Sequence, residues 1–142
     1  MASSFVISSP AFAPGETIPV EHTCDGADRP PTLAWSGAPE GTRSFVLVVH
    51  DPDAPHGDWL HWLVSELPPD TTSIEAGALP RGAREGPNDF GKRGWGGPCP
   101  PRGSSHRYVF ALHALDRELG LPAGAPSSRV TMRVTDTRPP RP

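Results

Sequence analysis

Twenty prolines and fifteen glycines are spread through these 142 residues, and they punctuate the whole chain rather than one linker. The longest stretch free of both runs from Ser104 to Leu119, and most of the others are far shorter. Globular helices run about 8–20 residues, whereas strands need only about 5–6. Interruption at this frequency favours short strands joined by long ordered loops, so an all-β chain is expected. The length suits one domain.

The formal charge of −3 leaves no electrostatic footprint for nucleic acid or an anionic membrane. No apolar run approaches the roughly 18 residues that would span a bilayer. The opening stretch "MASSFVISSPAFAPG" lacks a basic n-region, and serines and prolines break any h-region. A cytoplasmic protein is therefore expected. Two cysteines, Cys24 and Cys99, are too few for a disulfide framework and lack metal-ligand spacing. In the cytoplasm they should be reduced thiols.

"RSFVLVVHD" carries the clearest element. Phe45 to Val49 is an unbroken apolar run, as expected for a strand covered on both faces, and Pro52 ends it. In "WLHWLVSEL", simple alternation sets Trp59, His61 and Leu63 on one face and Leu60, Trp62 and Val64 on the other. In "HRYVFALHALD", His106, Tyr108, Phe110 and Leu112 share a face. "SFVIS", "TIPVE" and "TLAWS" are weaker strand candidates. The region from Pro68 to Ser105 is far longer than the usual loop of about 4–6 residues. Its Phe90, Trp95 and prolines suit an ordered lid or pocket wall.

Five residues on these strands or in the loops beside them could carry chemistry. Asp51 and Asp53 in "DPDAP" have an ordinary reading as a β-turn. Asp51, at the end of a buried strand, would also need a partner such as an imidazole. A lone His61 in mid-strand is commonly a satisfied core residue, and His106 a surface residue at a strand end. Zinc held by Asp51, His61 and His106 lacks a sequence-local ligand pair. Cys99 could be a nucleophile near His106, but the prolines after it leave little room for the helix N-terminus that lowers a thiol pKa.

Taken in order, "HTCDGADRPPTLAWSGAP", "LVVHDPDAP", "HWLV", "GPCPP" and "HRYVFALHALD" resemble the phosphatidylethanolamine-binding protein (PEBP) family, Raf kinase inhibitor-like, in its bacterial YbhB/YbcL branch. The resemblance covers about Phe5 to Pro122. It implies a β-sandwich of two antiparallel sheets with short helical segments and an anion pocket at one edge. Residue by residue, it implies a pocket of Asp51, Pro55, His61, Pro100, His106 and Tyr108, with Pro98 and Cys99 in the adjoining wall. In that reading Asp51 orients or charges His61, and both histidines, as imidazoliums and with loop N–H groups, receive a phosphate-like anion.

The implied function is non-enzymatic binding of small phosphate- or carboxylate-bearing ligands of the phospholipid-headgroup type, with no cofactor and no metal. The resemblance leaves open a kinase or protease partner and a homodimer. The competing function is a small hydrolase or metal-dependent enzyme built on Asp51, His61 and His106. The chain departs from the family pattern at "SSRVTMRVTDTRPPRP", where a closing helix and strand are usual. Residues 1–126 are expected to form the sandwich domain and 127–142 an atypical, partly disordered tail. Val130, Met132 and Val134 could supply at most one edge strand before Pro139.

Overall fold

The computed structural model describes residues 5–55, 57–100, 105–125 and 127–130. Seven strands are named here in chain order: β1 Val6–Ser8, β2 Leu33–Ser36, β3 Ser44–Asp51, β4 Trp59–Leu67, β5 Ser73–Ile74, β6 Arg84–Glu85 and β7 Val109–Leu115. They form two antiparallel sheets, ordered β1-β2-β5 and β6-β4-β3-β7. The all-β expectation and the two-sheet arrangement both hold.

The apolar run in β3 makes it the centre of the larger sheet. Phe45, Leu47 and Val49 point into the core between the sheets, where they meet Trp35, Trp62 and Ile74. Val46 points the other way, into a second cluster with Leu63, Leu119, Leu121 and Val130. Burying each large apolar side chain contributes about 1.5–3 kcal/mol. A strand with both faces covered therefore anchors the fold.

Strand β4 departs from simple alternation. Pairing with β3 slips between Val49↔Trp62 and His50↔Leu60, which makes a bulge at His61. Leu60 and Leu63 consequently share the outer cluster, while Trp62 and Val64 stay in the inner core. The expected faces, with Leu60 beside Trp62 and Leu63 beside His61, are thereby corrected. The extra residue turns His61 inward together with Trp62. A second slip lies opposite Phe45 and Leu47, near Glu66, a non-glycine residue at φ +57°. Its carboxylate accepts the Leu119 and Gly120 N–H groups at 2.8 and 3.2 Å.

Three other expectations change. "TIPVE" is not a strand: Pro19 supplies no donor to a ladder, and the chain turns into a 3₁₀ helix at Val20–His22. Residues 127–130 are helical rather than extended, because burial of Val130 in the outer cluster outweighs its preference for strands. Met132, Val134 and the expected disordered end, Thr137 to Pro142, lie outside the described residues. The reduced-thiol expectation is overturned by a disulfide between Cys24 and Cys99, whose Cα atoms are 5.4 Å apart across a sequence separation of 75. Folding brings two loops together that spacing alone could not connect.

Candidate functional site

The inner-face alternation of the larger sheet runs past the end of the core, and the candidate site side chains stand where it emerges. Along β3, Phe45, Leu47 and Val49 are followed at the same two-residue step by Asp51. Against β7, the inward Leu112 and Phe110 are preceded by Tyr108 and His106. The β4 bulge adds His61, with Trp59 two residues before it. These side chains close around a cavity of about 170 Å³ lined by Asp51, Ala54, Pro55, Trp59, His61, Phe90, Cys99, Pro100, His106 and Tyr108. A broader groove of about 1040 Å³ adjoins it and shares Pro100, His106 and Tyr108.

Of the residues singled out in the sequence, Asp51, Pro55, His61, Cys99, Pro100, His106 and Tyr108 meet at the cavity, and Pro98 lines the groove beside it. Phe90, expected in the lid or pocket wall, lines the cavity, and Trp59 is the large lining residue that the sequence reading did not assign. Trp59 carried a usable signal, since it stands two residues before His61. Phe90 packs edge-on against Trp59 and His61, with centroids 5.4 and 5.3 Å away. Trp95, expected in the lid or wall, packs on Trp62 instead at 5.5 Å and belongs to the core side of that loop.

Asp51 has a different partner from the one expected. Its side chain is almost fully buried, and Oδ2 lies 2.6 Å from Nδ1 of His106. Oδ1 accepts the Asp53 N–H at 2.8 Å, closing the Asp-Pro-Asp turn. Asp53 in turn grips Arg107, accepting its backbone N–H at 2.8 Å and its guanidinium at 2.9 and 3.0 Å. The bonds from Arg107 lower the Asp53 carboxyl to about 2. This exposed clamp fixes the residue next to His106, so the imidazole arrives on Asp51 already oriented. A carboxylate only accepts, so His106 Nδ1 donates and Nε2 is left for a ligand.

His61 is held by a loop. Its Nδ1 lies 2.6 Å from the Gly96 carbonyl, and the Gly96 N–H returns a bond to the His61 carbonyl at 2.9 Å. The carbonyl can only accept, so here too Nε2 is the free nitrogen. Burial lowers the His61 pKa below its ordinary value, against a partial upward pull from the Gly96 bond and the Asp51 charge. Asp51 thus acts on His61 through space and on His106 by contact. Gly96 gave no sequence signal as a partner, since it lies 35 residues away in a loop.

Two donors at the cavity lack partners among the described residues: Trp59 Nε1 and the Tyr108 hydroxyl. Burial pushes the Tyr108 hydroxyl up to about 12, so it stays a donor. Its ring stands edge-on to His61 at 5.4 Å. Unpaired buried donors cost free energy that an acceptor-rich ligand would recover. Among the described residues no group of three His, Cys, Asp or Glu is arranged to hold a metal ion.

The loop reaches His61 because residues 96 and 97 are glycines. A Cβ on Gly97 would lie 2.2 Å from both the Asp28 carboxylate and the His22 carbonyl. Gly97→Ala is therefore expected to cost about 1–3 kcal/mol, the usual range for overpacking, as measured by urea unfolding. A cost near zero would mean that the loop does not press on residues 22–28.

A family model described as phosphatidylethanolamine-binding protein matches residues 8–137. The chain belongs to this family. Within the PEBP family it is 46% identical over 134 residues to a UPF0098 protein of Aquifex aeolicus, covering 90% of this chain and 78% of that one. Escherichia coli YbcL is 43% identical over 131 residues, covering 82% and 72%. The crystal structure of YbcL, described as a new member of the mammalian PEBP family, superposes with a TM-score of 0.88. That superposition covers 96% of this chain and 92% of YbcL, at 34% identity over the wider alignment. LppC of Mycobacterium tuberculosis, whose name marks it as a candidate lipoprotein, is 44% identical over 125 residues, or 87% of this chain and 62% of LppC. These PEBP relatives place the chain in the YbhB/YbcL branch.

Proposed function

We propose that this chain binds small phosphate- or carboxylate-bearing ligands, of the phospholipid-headgroup type, between His61 and His106. The observation that carries the reading is the excess of unpaired donors at one cavity. Among the described residues Trp59 Nε1 and the Tyr108 hydroxyl have no partner, and the bonds at Nδ1 of His61 and His106 leave Nε2 of each ring for a ligand. An anion offers acceptors to the first two as they stand, and to Nε2 of an imidazole once that ring is protonated. Asp51 behind His106 fixes the orientation of that ring and adds a charge beside the site.

Chemical turnover is the weaker reading, because Cys99 is tied in a disulfide and cannot act as the nucleophile. The same disulfide supports an oxidising compartment over the cytoplasm. Among the described residues no helix is long and apolar enough to cross a membrane.

Binding should be modest, in the high micromolar to millimolar range, about −4 to −6 kcal/mol. Titration calorimetry with inorganic phosphate tests this directly. Asp51→Asn keeps an acceptor for His106 Nδ1 but removes the charge. It is expected to weaken phosphate binding about tenfold, one pKa unit of coupling or roughly 1.4 kcal/mol. Unchanged affinity in the folded variant would reduce Asp51 to a turn residue.

A further inference from the structure

The loop from Trp95 to Pro100 has two sides, and they face different things. One side holds the cavity: Gly96 exchanges two hydrogen bonds with His61, and Cys99 lines the wall. The other side is fastened to the segment 22–28. Three hydrogen bonds do this: Cys24 N–H to the Pro98 carbonyl at 3.1 Å, Gly97 N–H to Asp28 Oδ1 at 2.9 Å, and Trp95 Nε1 to the His22 carbonyl at 3.3 Å. The only covalent tie between these segments is Cys24–Cys99. The segment 22–28 is itself braced, with His22 Nδ1 against the Arg29 carbonyl at 2.8 Å and Arg29 N–H on the Glu21 carbonyl at 3.0 Å.

We infer that the Cys24–Cys99 disulfide is a redox control on the anion pocket: the oxidised chain binds, and reduction weakens binding by releasing the loop that orients His61. This rests on the anion-binding reading above. The chemistry is simple. A dithiol supplies two electrons and two protons, the S–S bond breaks to give two thiols, and the dithiol closes to its own cyclic disulfide. Across to 22–28 the loop then keeps only its three hydrogen bonds, beside the Gly96 pair to His61 and the Trp95 packing, and the closed 75-residue span is opened. His61 loses the fixed carbonyl that sets its tautomer and aims Nε2. A ligand must then order the loop as it binds, which lowers its affinity.

Sulfate is the probe, since its charge is constant between pH 5 and 8. Titration at pH 6 and low temperature, before and after dithiothreitol, should show affinity falling at least about fivefold on reduction. Near-UV circular dichroism confirms that both forms are folded, and the reduced form should melt roughly 10 °C lower. Cys24→Ser, outside the cavity, should reproduce the reduced affinity without dithiothreitol. Asp28→Gly, with the disulfide intact, provides a second route to the same loosening, because glycine accepts φ +56° there. It should weaken sulfate binding, while Asp28→Asn, which keeps the acceptor, should stay within about twofold.

Equal affinity in oxidised and reduced chains would overturn the inference and leave the anion pocket standing. Sulfate binding by neither form would remove the anion reading, and this control with it. If reduction unfolds the chain, Asp28→Gly decides: unchanged binding there means that the loop does not set the pocket.

Discussion

Replacing Trp62 with alanine is expected to cost about 3–5 kcal/mol of stability, the range for deleting a fully buried aromatic side chain. Trp62 has no exposed surface, sits in the inner core, and meets Trp95 edge-on at 5.5 Å. Its Nε1 also donates to Glu85 Oε2 at 2.8 Å, so truncation leaves that carboxylate without its indole partner. Trp62→Phe retains most of the packing and should cost about 1–2 kcal/mol, chiefly the lost hydrogen bond. Urea denaturation followed by far-UV circular dichroism measures both. A loss below about 1 kcal/mol for Trp62→Ala would mean that the core refills around the gap. Because Trp95 precedes Gly96, the alanine variant should also weaken anion binding by more than its stability loss explains.

The largest ligand effect should come from pH. Burial holds the His61 pKa below 6.5 in the free chain, so near pH 7 the ring is neutral and Nε2 is a lone pair facing the cavity. An anion bound there favours the imidazolium and raises that pKa. Below the free-state pKa both forms are protonated and affinity is constant. Between the free-state and bound-state values, binding takes up a proton, and affinity falls about tenfold per pH unit as pH rises. Sulfate titrations from pH 5 to 8 should therefore lose up to about 100-fold. His61→Gln should flatten that profile. A flat wild-type profile would assign the binding to the Trp59 and Tyr108 donors. The ligand-free chain should show the opposite trend in stability from this group. Its depressed folded pKa means that protonation favours unfolding, so the contribution of His61 is lost as pH falls below 6.5.

Local patterning made much of this readable from the sequence. The run Phe45–Val49 predicted a doubly covered strand, and the two-residue step through His106, Tyr108, Phe110 and Leu112 carried the pocket face into the core face. What escaped was set by long-range pairing. The bulge at His61 exists only because β3 and β4 pair out of step, so no pattern within "WLHWLV" revealed it. The partner of Asp51 is His106 because β7 runs antiparallel beside β3, a fact that periodicity does not encode. The disulfide was misjudged because compartment was inferred from an opening segment, while Cys24 and Cys99 become neighbours only on folding. Strands of two residues, such as Ser73–Ile74 and Arg84–Glu85, are too short to leave any periodic signal.

The inner face of β7 has a consequence for how such a chain can change. Core residues and cavity residues share one alternating row, so a single-residue insertion or deletion ahead of Val109 would rotate the cavity residues outward. One placed within β7 would eject Phe110 and Leu112 from the interior as well. Selection for a foldable domain thereby also constrains the cavity lining. Lineages can diversify through point substitutions around the mouth, at Ala54, Pro55, Phe90 or Pro100, where neither strand phase nor interior packing is disturbed. The mouth of the cavity can drift in such a protein while the row of side chains at its base is inherited with the fold.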